Sequence, residues 1–213
     1  MTYSHIIWDF NGTILDDVVA GIKSENVLLS RRSMPLIDSL EQYHRYFCFP
    51  IIEYYKKLGH DFDKEDYNDL AIEWVTEYLK FSKESKLNEG ITEALDRFKK
   101  EGCCQLILSA SEKQMLTNQV RGLGIYEYFD EILGLDNIHA NSKVEMAMEW
   151  VELRKPSKSL FIGDTTHDYE VACSINADCV LVARGHQNRD TLLKCEIPVF
   201  DTFYEMLSYV EEQ

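Results

Sequence analysis

The sequence predicts an α/β fold: a doubly wound parallel sheet with an all-helical segment inserted near its start. Three observations predict it. From about residue 88 onward, short apolar, β-rich runs alternate with amphipathic stretches of helical length. Repeated strand–helix units of this kind form parallel sheets with helices on both faces. The first strand-like run, over 5–10, is separated from the others by a block at 17–86 whose apolar residues recur at helical spacing. The chain has 213 residues, enough for one good core and a small inserted one.

The elements follow in order. His5-Ile-Ile-Trp-Asp-Phe10 is short and apolar and runs into the turn signal Asn11-Gly12. Asp16 and Asp17 precede a helical pattern over 18–29, where acidic residues suit an N-cap and the helix dipole. Within 17–86, Leu40, Tyr43, Tyr46 and Phe47 share one helical face, as do Ile52, Tyr55 and Leu58, and Leu70, Trp74, Tyr78 and Phe81. Pro35, Pro50 and Gly59 separate these pieces, and no strand pattern occurs among them. The alternation then begins. A helix over 90–100 stops at Gly102, and a strand over 103–108 ends in Ser109-Ala110-Ser111. A helix over 112–123 closes at Gly124, and a short strand covers 128–133. A helix over 142–154 carries Lys143 in its first turn, a strand over 159–162 ends in Gly163-Asp164, and a helix follows over 167–175. A strand over 179–183, a short one at Val199–Phe200 and a last helix at Phe203–Glu211 complete a Rossmann-like core. The predicted organisation is thus a core of 1–16 and 87–213 with a helical insert of 17–86.

Composition narrows the function classes. Apolar residues make up 45 % and charged residues 28 % of the chain, ordinary values for a soluble globular protein. The formal charge of −15 repels nucleic acid and anionic lipid, so neither is expected as a partner. A phosphorylated small molecule meets the same repulsion and requires local cations, either a metal or a lysine. The N-terminus has no basic-then-apolar leader and no apolar run approaches the ~20 residues of a membrane span, so a cytoplasmic protein is expected. Cys48, Cys103, Cys104, Cys173, Cys179 and Cys195 lack zinc-site spacing and are expected to be reduced, buried thiols.

In open parallel sheets, ligands bind at the carboxyl ends of strands. Asp9, Ser109 and Asp164 each stand at or just past such an end. Two carboxylates there can share Mg²⁺, which takes oxygen ligands and keeps few from the protein. Asp168 lies four residues beyond Asp164, at a helix start. Ser109 offers a hydroxyl, and the amides after it are expected to open a helix, a natural anion site. Lys143 supplies a positive charge. Each residue also has an ordinary structural role: a turn aspartate, a capping acid, a capping serine, a solvated lysine.

Taken together, Asp9-Phe-Asn-Gly-Thr13, Leu-Ser109 after a strand, Lys143 and Gly163-Asp164-Thr-Thr-His-Asp168 stand in the order and spacing of the haloacid-dehalogenase-like superfamily. The resemblance covers essentially the whole chain. The helical insert and Asn88-Glu-Gly-Ile-Thr-Glu-Ala-Leu look like its phosphoglycolate-phosphatase-like branch. The resemblance implies a phosphohydrolase of a small phosphorylated metabolite, with Asp9 as covalent nucleophile. It implies Mg²⁺ held by Asp9, the Asn11 carbonyl and Asp164, with Asp168 as a ligand or a support. Gly12, Thr13, Ser109, Ala110 and Lys143 would hold the phosphate, and the helical insert would act as a cap that excludes water and selects substrate.

One position departs from the family pattern. Phosphatases of the superfamily usually carry aspartate two residues after the nucleophile, and this chain has Asn11. An amide hydrogen-bonds but does not exchange a proton at neutral pH, and acid–base help is worth about 10²–10⁴-fold. Hydrolysis of an aspartyl-phosphate would then be slow unless another base serves, His167 being one candidate. A stably phosphorylated or phosphoester-binding protein, and a phosphotransferase, are the alternatives. Dehalogenases also lack the second aspartate, but they need no Mg²⁺, and the metal-and-phosphate set retained here argues against that chemistry. Arg45, in the aromatic-rich insert, is either a substrate contact or a surface residue.

Overall fold

A computed structural model describes residues 2–135 and 142–212. The chain divides into two compact units, Met1–Asp16 with Leu87–Gln213, and Asp17–Lys86.

The second unit is built of helices α1 (Val18–Arg31), α2 (Leu40–Tyr46), α3 (Ile51–Leu58) and α4 (Tyr67–Phe81). Local chemistry sets their ends. Ser39 accepts from the Gln42 amide at the start of α2, and Asp66 accepts from Asn68 and Asp69 at the start of α4. Gly59 ends α3 with φ 105°, a left-handed conformation that favours glycine. Asp17 stands at the N-cap of α1 without capping it; its carboxylate accepts from the Tyr78 hydroxyl at 2.6 Å. Most of the predicted faces join this unit's own core, with Val18, Leu28, Leu29, Tyr43, Tyr54, Tyr55 and Leu70 buried, but Leu40 is exposed and Ile52 and Phe81 lie outside that core. Beside it lies a polar cluster. His60 is fully buried, with Nε2 3.1 Å from Glu25 and Nδ1 2.9 Å from Glu65, and Arg32 binds both Glu65 and Glu73.

The first unit is a six-stranded, wholly parallel sheet. Its strands are β1 (His5–Trp8), β2 (Cys104–Glu112), β3 (Glu131–Leu135), β4 (Ser159–Gly163), β5 (Asp178–Val182) and β6 (Val199–Phe200). Their spatial order is β3-β2-β1-β4-β5-β6, the doubly wound order whose direction of winding reverses at β1. Helices α5 (Ile91–Lys100), α6 (Lys113–Gly122), α7 (Lys143–Arg154), α8 (Thr166–Ser174), α9 (Arg189–Leu192) and α10 (Phe203–Glu211) complete it. Successive side chains of a strand point to opposite faces. Ile6, Trp8, Ile107, Ile162 and Val180 pack with α5, α6 and α10 on one face; Ile7, Leu106, Leu108 and Phe161 pack with α7 and α8 on the other. Both faces are covered, which is why these strands read as continuous apolar runs.

Several boundaries differ from the sequence expectation. Two-residue strands at Leu15–Asp16 and Lys86–Leu87 flank the helical unit, where no strand pattern was visible. β2 runs to Glu112 instead of stopping at Leu108, because Glu112 pairs with Leu135 after a shift in register. The amides after Ser109 therefore belong to a bulged strand, and α6 starts only at Lys113. The helix α9 was not foreseen. The cysteines are free, but only Cys103 is buried, while Cys104 and Cys173 are exposed. Cys104 begins β2 with its side chain outward, and Cys173 lies on the outer side of α8, so an apolar sequence neighbourhood did not imply burial. No helix among the described residues is long and apolar enough to cross a membrane.

Candidate active site

The register Trp8↔Ile107 and Trp8↔Ile162 puts the end of β1 level with its two neighbours. Asp9 is the next residue, and its amide still bonds to the Ile162 carbonyl at 2.9 Å. The chain then folds back tightly: Gly12 donates to Leu15 O and Leu15 donates to Phe10 O, both at 2.9 Å. Gly12 has φ +78°, and a Cβ there would lie 2.4 Å from Asp164 Oδ2 and 2.7 Å from the His186 ring. Only glycine lets the backbone turn and the carboxylate pass so closely. Asn88 holds the far side of the turn, its side-chain amide donating to the carbonyls of Gly12 and Thr13 at 3.0 and 2.9 Å.

Asp9, Asp164 and Asp168 come together, each buried, with carboxylate oxygens within 4.8 Å of one another. Asp164 Oδ1 accepts from the Thr13 hydroxyl at 2.8 Å, and its Oδ2 accepts from the His186 amide at 2.6 Å. The Asp168 side chain is engaged by protein donors. Its Oδ2 accepts from Thr165 Oγ1 at 2.7 Å, Thr165 N at 3.0 Å and Asp164 N at 3.2 Å, and its Oδ1 accepts from Lys143 Nζ at 2.6 Å. This is a capping box at the start of α8, and it fixes the loop that presents Asp164. Lys143, in the first turn of α7, also bonds Asp9 Oδ1 and is itself buried.

Charge is unbalanced here. Three buried carboxylates face one buried lysine. Burial pushes the Asp9 carboxyl up to about 6, with Lys143 opposing the rise and Asp168 adding to it. Burial likewise pushes Asp164 well above the usual carboxylate range, and the charges of Asp9 and Asp168 push the same way. Burial works against the Lys143 ammonium, but Asp168 and Asp9 outweigh it and hold it above the ordinary lysine value. Ionised carboxylates crowded out of water without enough counter-charge cost several kcal/mol each. A hard divalent cation with oxygen ligands relieves that cost, so this donor set fits Mg²⁺.

The phosphate-binding candidates lie around this cluster. Ser109 is buried and its Oγ accepts from the Ser111 amide at 3.1 Å. Ala110 is exposed at the tip of the bulge. The Asn11 side-chain oxygen accepts from the Ser111 hydroxyl at 2.8 Å. His167, by contrast, has Nδ1 3.0 Å from Glu170 on the next turn of α8. Arg45 belongs to the helical unit and pairs with Glu41 at an exposed position.

Sequence reasoning passed over Asn88, Ser111, Gly134, Gly185 and His186. A Cβ on Gly185 would lie 2.0 Å from Asp164 Oδ2, so this glycine shapes the same cradle as Gly12. Gly185 and His186 follow β5 closely, and the strand-end rule that found Asp9, Ser109 and Asp164 would have found them too.

The sequence profile of the Haloacid dehalogenase-like hydrolase family matches residues 6–182. Phosphoglycolate phosphatase of Rhodobacter capsulatus is 23 % identical over 191 residues, covering 85 % of this chain and 85 % of its own. Among solved structures, a predicted phosphatase from Clostridium acetobutylicum superposes with a TM-score of 0.80 at 17 % identity, covering 100 % of both chains. Protein Tyrosine Kinase A of Mycobacterium tuberculosis superposes with a TM-score of 0.82 at 20 % identity, covering 97 % of both chains. At such identities these structures speak for the shared fold. The profile match spans most of the sequence, from β1 through β5, and by it this chain belongs to the haloacid dehalogenase-like hydrolases.

Proposed function

We propose that the protein is a Mg²⁺-dependent phosphohydrolase of small phosphomonoesters that works through an aspartyl-phosphate on Asp9. The observation that carries the reading is the buried cluster of Asp9, Asp164 and Asp168 around the Lys143 ammonium. A carboxylate nucleophile at the end of β1 needs a nearby lysine and a metal site to meet an anionic phosphate. The curated relatives named as phosphoglycolate phosphatases support a phosphorylated small-molecule substrate of that kind.

Asp9 and Asp164 would hold the ion together with the Asn11 carbonyl, and Mg²⁺ when bound neutralises charge on the phosphate and the carboxylates. Asp168 braces Lys143 and the Asp164 loop. An Asp9 oxygen attacks phosphorus while the bond from phosphorus to the leaving oxygen breaks. The Lys143 ammonium keeps Asp9 ionised and orients it toward the phosphate. Ser109 and the backbone at Gly12, Thr13 and Ala110 hold the remaining phosphate oxygens, while the Thr13 hydroxyl stays bonded to Asp164. Water then attacks phosphorus, the bond to Asp9 breaks, and the water's proton passes to solvent, since Asn11 cannot take it. Catalysis is mainly positioning and electrostatics. The helical unit serves as the cap.

The test is release of phosphate from p-nitrophenyl phosphate. We expect release that requires Mg²⁺ and falls to background in Asp9→Asn. Undiminished release by that variant would remove Asp9 as the nucleophile. A second reading, a protein that keeps the phosphoryl group on Asp9 or passes it to another acceptor, is favoured by Asn11. Intact-mass detection of a long-lived phospho-adduct would support that reading, and rapid turnover would exclude it.

A further inference from the structure

We propose that Gln187 is a positioning residue for Asp164: its side chain pins the loop after β5 to the start of α8 and so holds the His186 amide on the Asp164 carboxylate. The inference rests on the reading of the carboxylate cluster as a Mg²⁺ site. Gln187 is buried, and its Oε1 accepts from the Thr166 amide at 2.8 Å. Thr166 is the first residue of α8. The first amides of a helix find no partner within it, and the capping box here serves other amides. Thr165 Oγ1 accepts from the Asp168 amide at 3.3 Å, and Asp168 Oδ2 accepts from the amides of Asp164 and Thr165 at 3.2 and 3.0 Å. Gln187 takes the Thr166 amide, which lies among them, from a different loop.

Three consecutive residues bring the two loops together. The ladder between β4 and β5 runs to the pair Gly163↔Leu181. Beyond it, the loops are tied by contacts from 185–187. Gly185 lies so close to Asp164 that a Cβ there would meet Oδ2 at 2.0 Å. The His186 amide donates to the same oxygen at 2.6 Å. Gln187 then bonds the start of α8. The other Asp164 oxygen, Oδ1, accepts from the Thr13 hydroxyl at 2.8 Å. Donors on two separate loops thus set the plane of this carboxylate. A backbone amide is only as well placed as the loop that carries it, and the side-chain anchor of that loop stands at the very next residue.

Such an anchor acts on the metal more than on the fold. Groups that orient a metal's ligands change its affinity about 10–100-fold when removed, whereas one hydrogen bond contributes little to overall stability. The ion's own geometry sharpens the distinction. Mg²⁺ demands a near-ideal octahedron, while Ca²⁺ accepts variable coordination. A swing of the Asp164 carboxylate should therefore weaken Mg²⁺ more than Ca²⁺. A residue that merely filled space would lower stability and leave that preference as it was.

The experiment titrates Mg²⁺ and, separately, Ca²⁺ into wild type, Gln187→Met, Thr166→Pro and the double variant, and reads the rise in Tm. Methionine keeps the length of the side chain and loses the acceptor. Proline removes the donor and suits the first position of a helix. Thr165 before it is already extended, with φ −133° and ψ 159°, as a residue preceding proline must be. We expect each single variant to raise the half-saturating Mg²⁺ concentration about tenfold, to move the Ca²⁺ midpoint less, and to lower the metal-free Tm by only about 2–4 °C. The double variant should go no further than either single one, because both remove the same bond. An unchanged Mg²⁺ midpoint in Gln187→Met, equal displacement of the Mg²⁺ and Ca²⁺ midpoints, or additive displacement in the double variant overturns the positioning role and leaves the Mg²⁺ site in place. If Gln187→Met does not fold, the Mg²⁺ midpoint of Thr166→Pro decides in the same way. If wild type shows no Mg²⁺ response, the reading of the cluster as a Mg²⁺ site fails and the positioning role fails with it.

Discussion

Protons and Mg²⁺ should compete for the same carboxylates, and the structure sets the size of the competition. Burial holds the Asp9 carboxyl at about 6 against an ordinary 3.8. A carboxyl whose value is raised on folding weakens the fold once it is ionised. The penalty is absent below the ordinary value, grows as pH rises through the interval to about 6, and is complete at neutral pH. A shift of about two units corresponds to about 3 kcal/mol. Asp164 is raised for the same reason and adds to the effect. A bound cation removes this penalty, so Mg²⁺ should stabilise the metal-free chain most at neutral pH. At about 2–4 °C per kcal/mol for a chain of this size, the gain in Tm is about 6–12 °C at pH 7.5. At pH 4.5, only about 0.7 unit into that interval, the penalty is about 1 kcal/mol and the gain should fall to about 2–4 °C by the same scaling. Differential scanning fluorimetry with and without Mg²⁺ at the two pH values measures this directly. Asp164→Asn should raise the metal-free Tm at pH 7.5 and abolish most of the Mg²⁺ response. Equal Mg²⁺ shifts at both pH values, or a full response in Asp164→Asn, would show that the cation binds elsewhere.

Three further predictions follow from particular residues. Asn11→Asp restores a proton-exchanging group two residues after Asp9 and should raise steady-state turnover, with about 10²–10⁴-fold as the ceiling for acid–base help; an unchanged kcat would mean that another group already moves the proton. Gly12→Ala places a methyl 2.4 Å from Asp164 Oδ2 on a backbone with φ +78°, and should cost about 2 kcal/mol or more in denaturant stability while weakening the Mg²⁺-induced shift; wild-type behaviour in both would contradict the tight packing. His60→Leu strips the buried Glu25 and the half-buried Glu65 of their shared partner and should destabilise the helical unit by about 3–5 kcal/mol. Burial works against the imidazolium there, but Glu25 and Glu65 outweigh it and raise the His60 value. That stabilisation is complete below the ordinary histidine value and is lost as pH rises through the raised one. The helical signal should therefore melt earlier at alkaline pH in wild type, and a pH-independent melt would refute the charged form.

Much of the framework was legible because it depends on short-range pattern. Apolar runs flanked by Gly and Asp marked β1 and β4 to within a residue or two, since a doubly covered strand must be apolar throughout. The Ser142, Thr165 and Thr202 capping boxes lie at the starts of α7, α8 and α10, near the predicted boundaries. The strand-end rule singled out Asp9, Ser109, Asp164 and, by spacing, Asp168. The bulge in β2 was not legible. Ser109-Ala110-Ser111 looks like a turn in sequence, and only pairing with β3 draws it into the sheet. Asn88 and His186 lie 76 and 22 residues from the atoms they bind, and no local periodicity reports such partners.

By itself, then, the sequence determined a parallel α/β core, a helical insertion, an acidic chain, and Asp9, Ser109 and Asp164 at or just past the ends of strands. These follow from side-chain period, turn chemistry and charge, all of which are properties of neighbouring residues. The tertiary structure decided how the site's charges balance and how Asn11 is held. Lys143 spans Asp9 and Asp168, Thr13 and His186 share Asp164, and Ser111 reaches Asn11 from another strand. Such contacts depend on strand order and register, and these arise only when the sheet closes and distant segments are buried against one another.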